Sequence, residues 1–172
     1  KEFNLKFPLE KFRGKYYLIA CDGSEFNIAR NPDDPDTFHE PNGKSVSGFN
    51  MVHTISLYEV CSKRYLDLEV QLGRLKNEFQ AICNLMDRYA YGGSPIFIAD
   101  RGFSSYNVFA HAIENNVDFL IRAKDLNVQR FLGAEALPDK LDTTIELILT
   151  RTQSKKKHKH PEKESQYRYI CK

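Results

Sequence analysis

The sequence predicts a mixed α/β fold, one sheet with an antiparallel part and a parallel part, on three observations. Short apolar runs rich in β-branched and aromatic residues recur at 16–21, 49–58, 65–72, 95–99 and 117–121. Two stretches with an apolar period of 3.6 residues separate the third run from the fourth and the fourth from the fifth. The first three runs are joined without a helix, so the order is strand, strand, strand, helix, strand, helix, strand.

Each element follows from its residues. The first run, ending at Ala20-Cys21, meets Asp22-Gly23-Ser24, which reads as a turn. Residues 25–48 carry Asn31, Pro32, Asp33, Asp34, Pro35, Asp36, Pro41, Asn42, Gly43 and Gly48 and read as a long loop. In the third run Leu66, Leu68, Val70 and Leu72 alternate with Asp67, Glu69 and Gln71, the period of a strand with its apolar side inward. The polar link from Glu59 to Arg64 suits a hairpin connection. Leu75, Phe79, Ile82, Cys83, Met86 and Ala90 line one face of the first helix, which Gly92-Gly93 ends. Ser104 or Ser105 caps the second helix, with Val108, Phe109, Ala112 and Ile113 inward and Asn115-Asn116 at its exit. Residues 144–150 and 166–171 read as further strands around the basic tip 155–160.

Composition bounds the function. A chain of 172 residues, 41% hydrophobic and 28% charged, is one domain with a real core, neither a polycation nor a disordered chain. Its formal charge of +2 hides a split: residues 151–172 hold eight Lys/Arg against two Asp/Glu, and residues 1–150 hold 17 against 21. No apolar run approaches the roughly 20 residues of a membrane span. No secretory signal opens the chain, and Lys1 in place of Met leads us to expect a piece of a longer protein. The four cysteines, Cys21, Cys61, Cys83 and Cys171, form no Cys-x-x-Cys pair, which argues against a zinc ribbon or thioredoxin-like motif and for free thiols in a reducing cytoplasm. No glycine-rich phosphate loop is present, so ATP is not implied.

Two aspartates stand out by position. Asp22 and Asp100 each follow a short apolar strand and precede a glycine, and strand ends are where α/β sheets gather functional groups. If the two strands are neighbours, the carboxylates converge. Two ionised carboxylates a few Å apart repel, and a divalent cation such as Mg²⁺ relieves that. The plainer reading of Asp-Gly after a strand is a turn. Arg101, Arg122 and Lys124 at the strand ends suit DNA phosphates or a salt bridge to Asp118 or Asp125. Lys155, Lys156, Lys157 and Lys159 suit DNA phosphates or a solvated loop tip. His158 and His160 lack the cysteine partners of a zinc site, His53 reads as a structural histidine, and Asp33, Asp34 and Asp36 read as loop solvation.

The segment Asp22-Gly-Ser24 after an apolar strand, two strands, and then Ile96-Phe-Ile-Ala-Asp-Arg-Gly-Phe103 resembles the catalytic core of the DDE transposases of bacterial insertion sequences. The segment Phe119-Leu-Ile-Arg-Ala-Lys124 resembles that family's fifth strand. The likeness covers residues 15–124. It implies a ribonuclease H-like, five-stranded mixed sheet flanked by helices over residues 1–124, with residues 125–172 starting a β-rich insertion. It further implies that Asp22 and Asp100 are catalytic ligands of two Mg²⁺ or Mn²⁺ ions. The implied activity is cleavage and strand transfer of double-stranded DNA, transposon ends and target, by a homodimer in the bacterial cytoplasm, without a membrane. The family's third acid, a Glu within Tyr-x-x-Arg-x-x-x-Glu, has no counterpart between Lys124 and Lys172. It is expected beyond Lys172, and this chain alone is expected to be inactive. The alternatives are a stand-alone ribonuclease H-like nuclease, with Glu69 or Glu114 as a forced third ligand, and a non-catalytic DNA-binding or assembly module derived from a transposase.

Overall fold

The computed structural model describes residues 3, 6–43, 45–123 and 138–146. Its strands are β1 (Tyr16–Ile28), β2 (Phe38–His39), β3 (Phe49–Glu59), β4 (Arg64–Leu72), β5 (Ser94–Ala99) and β6 (Asp118–Ile121). Its helices are α1 (Glu78–Asp87) and α2 (Tyr106–Glu114), with a 3₁₀ turn at Arg101–Phe103. β1 is central. It pairs antiparallel with β3 and parallel with β5, β5 pairs parallel with β6, and β2 and β4 both pair with the far side of β3. This is the mixed α/β, ribonuclease H-like sheet, with the five anticipated strands and a sixth of two residues inside the loop 25–48.

That loop is tied together by one buried side chain. Asn50 accepts from Asn31 N at 2.6 Å and donates to Asn31 O at 2.8 Å and to Thr37 Oγ1 at 2.9 Å. Asp34 accepts from Thr37 Oγ1 at 2.6 Å, and Asp33 and Asp36 lie in the same hydrogen-bonded turns.

Both helices pack on one face of the sheet. Alternation along β1 turns Ile19 and Cys21 toward them, where they join Ile55, Leu57, Phe97 and Ala99 from the sheet and Ile82, Leu85, Met86, Val108 and Ala112 from the helices. Replacing fully buried Leu85 by alanine would cost about 2–5 kcal/mol. Leu75 and Phe79 were expected on this face, but α1 starts later, where Asn77 accepts from Gln80 N, which leaves Leu75 outside it, and Phe79 in its first turn is exposed. α1 also ends earlier, at Arg88, and Gly92 and Gly93 with positive φ make the turn into β5. Ser105 caps α2, and of its expected inner residues Val108 and Ala112 are buried while Ile113 is exposed.

The alternation in β4 runs opposite to the expectation. Leu68, Val70 and Leu72 are exposed on the face away from the helices. Asp67, Glu69 and Gln71 turn toward α1, because it supplies their partners: Arg88 donates to Asp67 at 2.8 Å and Glu69 at 2.7 Å, Asn84 donates to Glu69 at 2.8 Å, and Gln71 bonds Asn77 in both directions. A bulge shifts the register between Leu57 and Tyr58, so Leu66 still reaches the core. Periodicity reports two faces, and hydrogen-bond partners on the neighbouring helix decide which is inward.

Asp22-Gly23 is not a turn. β1 continues to Ile28, with Asp22 opposite Ser56 and Gly23 opposite Ile55. Gly23 relieves crowding: a Cβ there would lie 3.0 Å from both His53 Cε1 and Ile55 Cδ1, and those side chains would have to shift slightly. The described beginning of the expected strand 144–150, Thr144 to Glu146, is neither strand nor helix, and no strand pairs with it among the described residues. The rest of that strand, the strand 166–171 and the basic tip 155–160 lie outside the described residues. No helix among the described residues is long and apolar enough to cross a membrane.

Candidate functional site

The parallel ladder between β1 and β5 ends with Cys21 opposite Ala99, and the ladder between β5 and β6 ends with Ala99 opposite Ile121. The next residue on each chain is Asp22, Asp100 and Arg122. The three therefore occupy one row across neighbouring segments about 4.8 Å apart. Alternation turns this row to the face opposite α1 and α2, since Cys21 and Ala99 point into the core. The register continues one step past the strands: Arg122 N donates to Ala99 O at 3.4 Å.

Local chemistry holds both carboxylates in the open. Asp100 has an extended backbone (φ −75°, ψ 177°) and caps the 3₁₀ turn, its Oδ1 accepting from Gly102 N at 2.7 Å. Buried Phe103 anchors that turn in the core. A Cβ on Gly102 would lie 2.8 Å from Asp100 Oδ1, so a side chain there would push this carboxylate out of position. Asp22 Oδ1 accepts from Gly23 N at 2.8 Å. Both aspartates are exposed, and among the described residues neither is in an ion pair. Each keeps its Oδ2 free of any hydrogen bond among the described residues.

The donor set here is oxygen. Burial pushes the Cys21 thiol far above its usual range, the charge of Asp22 adding to the effect, so no thiolate forms beside the carboxylates near neutral pH. Such a site suits a hard cation. Among the described residues no group of three His, Cys, Asp or Glu side chains is placed to hold a metal, so these carboxylates stand as a pair.

Other sequence-level candidates fall elsewhere. Arg101 is in the 3₁₀ turn beside Asp100, exposed; neither it nor Arg122 is in an ion pair among the described residues. The alternative reading, a salt bridge to Asp118, is not made by either among the described residues, and Asp125 lies outside them. Lys124, Lys155, Lys156, Lys157 and Lys159 lie outside the described residues, as do His158, His160 and Cys171. Cys21 and Cys61 are free thiols, and Cys83 is buried. His53 is buried, its Nε2 3.1 Å from Glu78 Oε1, within ion-pair range but not aligned for a hydrogen bond.

Neither forced third ligand reaches the row. Glu69 is on β4, separated from β1 by β3, and is held by Arg88 and Asn84. Glu114 ends α2, which runs back from Asp100 toward the start of β6. That Arg122 shares the row is not legible in the residues alone, since register is set by pairing. Gly102 was visible within Ala-Asp-Arg-Gly-Phe, but its support of the Asp100 carboxylate was not.

None of the curated proteins matches the chain. The family described as "Transposase DDE domain" matches residues 13–170, nearly the whole length and every described strand and helix. With an α/β sheet of the ribonuclease H type and an aspartate directly after the last parallel rung on each of two neighbouring central strands, the chain belongs to the DDE transposases, a family of DNA-acting polynucleotidyl transferases.

Proposed function

We propose that this chain is the core of a DNA transposase in which Asp22 and Asp100 jointly hold the divalent metal for cleavage and strand transfer. The observation that carries this reading is their place in one row at the ends of the parallel ladder, both exposed and free of cationic partners among the described residues. Two exposed carboxylates in one row offer oxygen donors that a hard divalent ion can share. The residues fit Mg²⁺ or Mn²⁺ on chemistry: hard oxygen donors and no neighbouring thiolate. Two such ions supply the Lewis acidity that in-line displacement at phosphorus uses.

The chain's own groups do the rest. Gly102 N fixes one oxygen of Asp100 and leaves the other for the ion. Arg122, in the same row, and Arg101, in the adjoining turn, hold the phosphodiester against the carboxylates, with Lys124 and the run from Lys155 to Lys159 extending the backbone contact. Water attacks the phosphodiester at the element's end, and the freed 3′-hydroxyl then attacks target DNA, without a covalent protein–DNA intermediate. The working enzyme is a homodimer on double-stranded transposon ends and target, in the bacterial cytoplasm. Residues 1–124 form the catalytic core, and residues 125–172 begin an insertion.

The reading requires a third carboxylate, and the pattern Tyr-x-x-Arg-x-x-x-Glu is missing from residues 124–172. The 172-residue chain alone is therefore expected not to nick supercoiled DNA in Mg²⁺. Robust Mg²⁺-dependent nicking that Asp22→Ala abolishes would contradict this.

A further inference from the structure

We propose that the end of the sheet opposite Asp22 and Asp100 is a second contact surface for duplex DNA, built from Lys11, Arg13, Lys15, Lys63 and Arg64. The proposal rests on DNA as the family's substrate, not on the roles assigned to the carboxylates.

Two chain segments form this end. Residues 11–16 make a tight hairpin: Phe12 bridges Tyr16, and Lys15 N donates to Phe12 O at 3.1 Å. The β3–β4 connection lies against the preceding segment, with Glu10 N donating to Ser62 Oγ at 2.6 Å and Arg64 Nη1 to Phe7 O at 2.7 Å. The cations are fixed to a folded edge, not strung along a tail.

The charge there is one-sided. Residues 6–16 and 59–64 carry Lys6, Lys11, Arg13, Lys15, Lys63 and Arg64 against the acids Glu10 and Glu59. Glu59 is buried, its oxygens accepting from Cys61 N and Ser62 N. Glu10 is exposed, and Asp118 acts on Lys15 only at longer range. None of the six cations is in an ion pair among the described residues. Aromatic rings orient them instead, without neutralising them: Lys11 over Tyr17 at 5.5 Å, Arg13 over Phe12 at 5.4 Å, Lys15 over Tyr16 at 4.6 Å and Arg64 over Phe3 at 5.7 Å.

Backbone strain points to the same end. Arg13 (φ 51°), Lys63 (φ 54°) and Asn116 (φ 52°) are the non-glycine residues with positive φ among the described residues. Asn adopts this region readily, whereas Arg and Lys do so at a cost. Both strained cations sit at turn tips of this edge, where glycine or asparagine would be easier.

A duplex backbone is the partner this edge fits. Unneutralised cations on a fixed scaffold suit phosphates, and rings already engaged by the chain's own cations suit base stacking poorly. Six residues of β1 separate Tyr16 from Asp22, about 20 Å, or about six base pairs of duplex. A duplex engaged at the carboxylates can therefore meet this edge within one helical turn.

The test is binding of the 172-residue chain to a 30-base-pair duplex of arbitrary sequence, by fluorescence anisotropy across a salt series. Lys11→Gln/Arg13→Gln/Lys15→Gln should weaken binding at least tenfold and flatten the slope of log K against log salt by about 2–3, close to 0.9 per lost phosphate contact. Lys11→Arg/Arg13→Lys/Lys15→Arg should restore the slope. Arg13→Gln alone should flatten it by about one, which keeps the test valid if the triple variant fails to fold. An unchanged slope in these glutamine variants, or no salt-dependent binding by the parent chain, overturns the proposal. So does stronger competition by polyglutamate than by unlabelled duplex, which would make the partner an acidic protein. Mn²⁺ binding at Asp22 and Asp100 is read separately, so each reading fails on its own.

Discussion

Asp22 and Asp100 each lie one residue beyond the last rung of the parallel ladder, where Cys21 faces Ala99. Seventy-eight positions apart in sequence, they are next-door in register because β1 and β5 are adjacent and run the same way. The relationship depends on the parallel pairing of β1 with the six-residue β5.

Gly102 is the closest support of the pair. Its N–H holds Asp100 Oδ1 at 2.7 Å, and a Cβ would sit 2.8 Å from that oxygen. Gly102→Ala should displace the carboxylate and weaken Mn²⁺ binding several-fold while leaving the thermal midpoint within a few degrees, since the residue is exposed. Calorimetric titration beside a thermal melt checks both. Unchanged Mn²⁺ affinity would remove Gly102 from the site.

Arg88 should dominate the junction between β4 and α1. It donates to Asp67, Glu69 and the Leu68 carbonyl from a partly shielded position. Arg88→Met leaves two carboxylates without their cation and should cost about 1–3 kcal/mol. Adding Glu69→Gln should recover part of that loss. Urea unfolding of the single and double variants measures it, and a double variant weaker than the sum of both changes would count against the pairing.

The thiols should separate by reactivity and pH. Burial pushes Cys21 upward strongly, and burial with the charge of Glu59 raises partly exposed Cys61 more modestly. Native alkylation near pH 8 should therefore mark Cys61 before Cys21 or fully buried Cys83. Because the native state keeps the Cys21 proton when the unfolded chain loses its own, this contribution to stability is complete below about pH 9 and declines as pH rises further. Peptide mapping of alkylated protein checks the order, and rapid native labelling of Cys21 would contradict it.

Much of the fold was readable because pattern and packing agree. The runs containing Ile19, Ile55 and Phe97 are core strands, and the period through Ile82 and Met86 is a helix face. The failures have physical causes. β4 turns its polar side inward because Arg88 and Asn84, more than a dozen residues downstream, satisfy it. β1 runs past Asp22 because its ladder with β3 continues unbroken from Asp22 opposite Ser56 to Ile28 opposite Asn50, so Gly23 is a strand residue and not a bend. At the site, Asp22 and Asp100 were legible as strand-end acids, whereas the alignment of Arg122 with them and the hold of Gly102 on Asp100 are properties of register and of a capped turn.

The most direct measurement is titration of the 172-residue chain with Mn²⁺ in an isothermal calorimeter, with Asp22→Asn and Asp100→Asn in parallel. A joint site predicts a saturable isotherm in the parent chain that either substitution abolishes, since one carboxylate cannot replace the pair. The absence of saturable binding in the parent chain, or an isotherm that survives both substitutions, would contradict it.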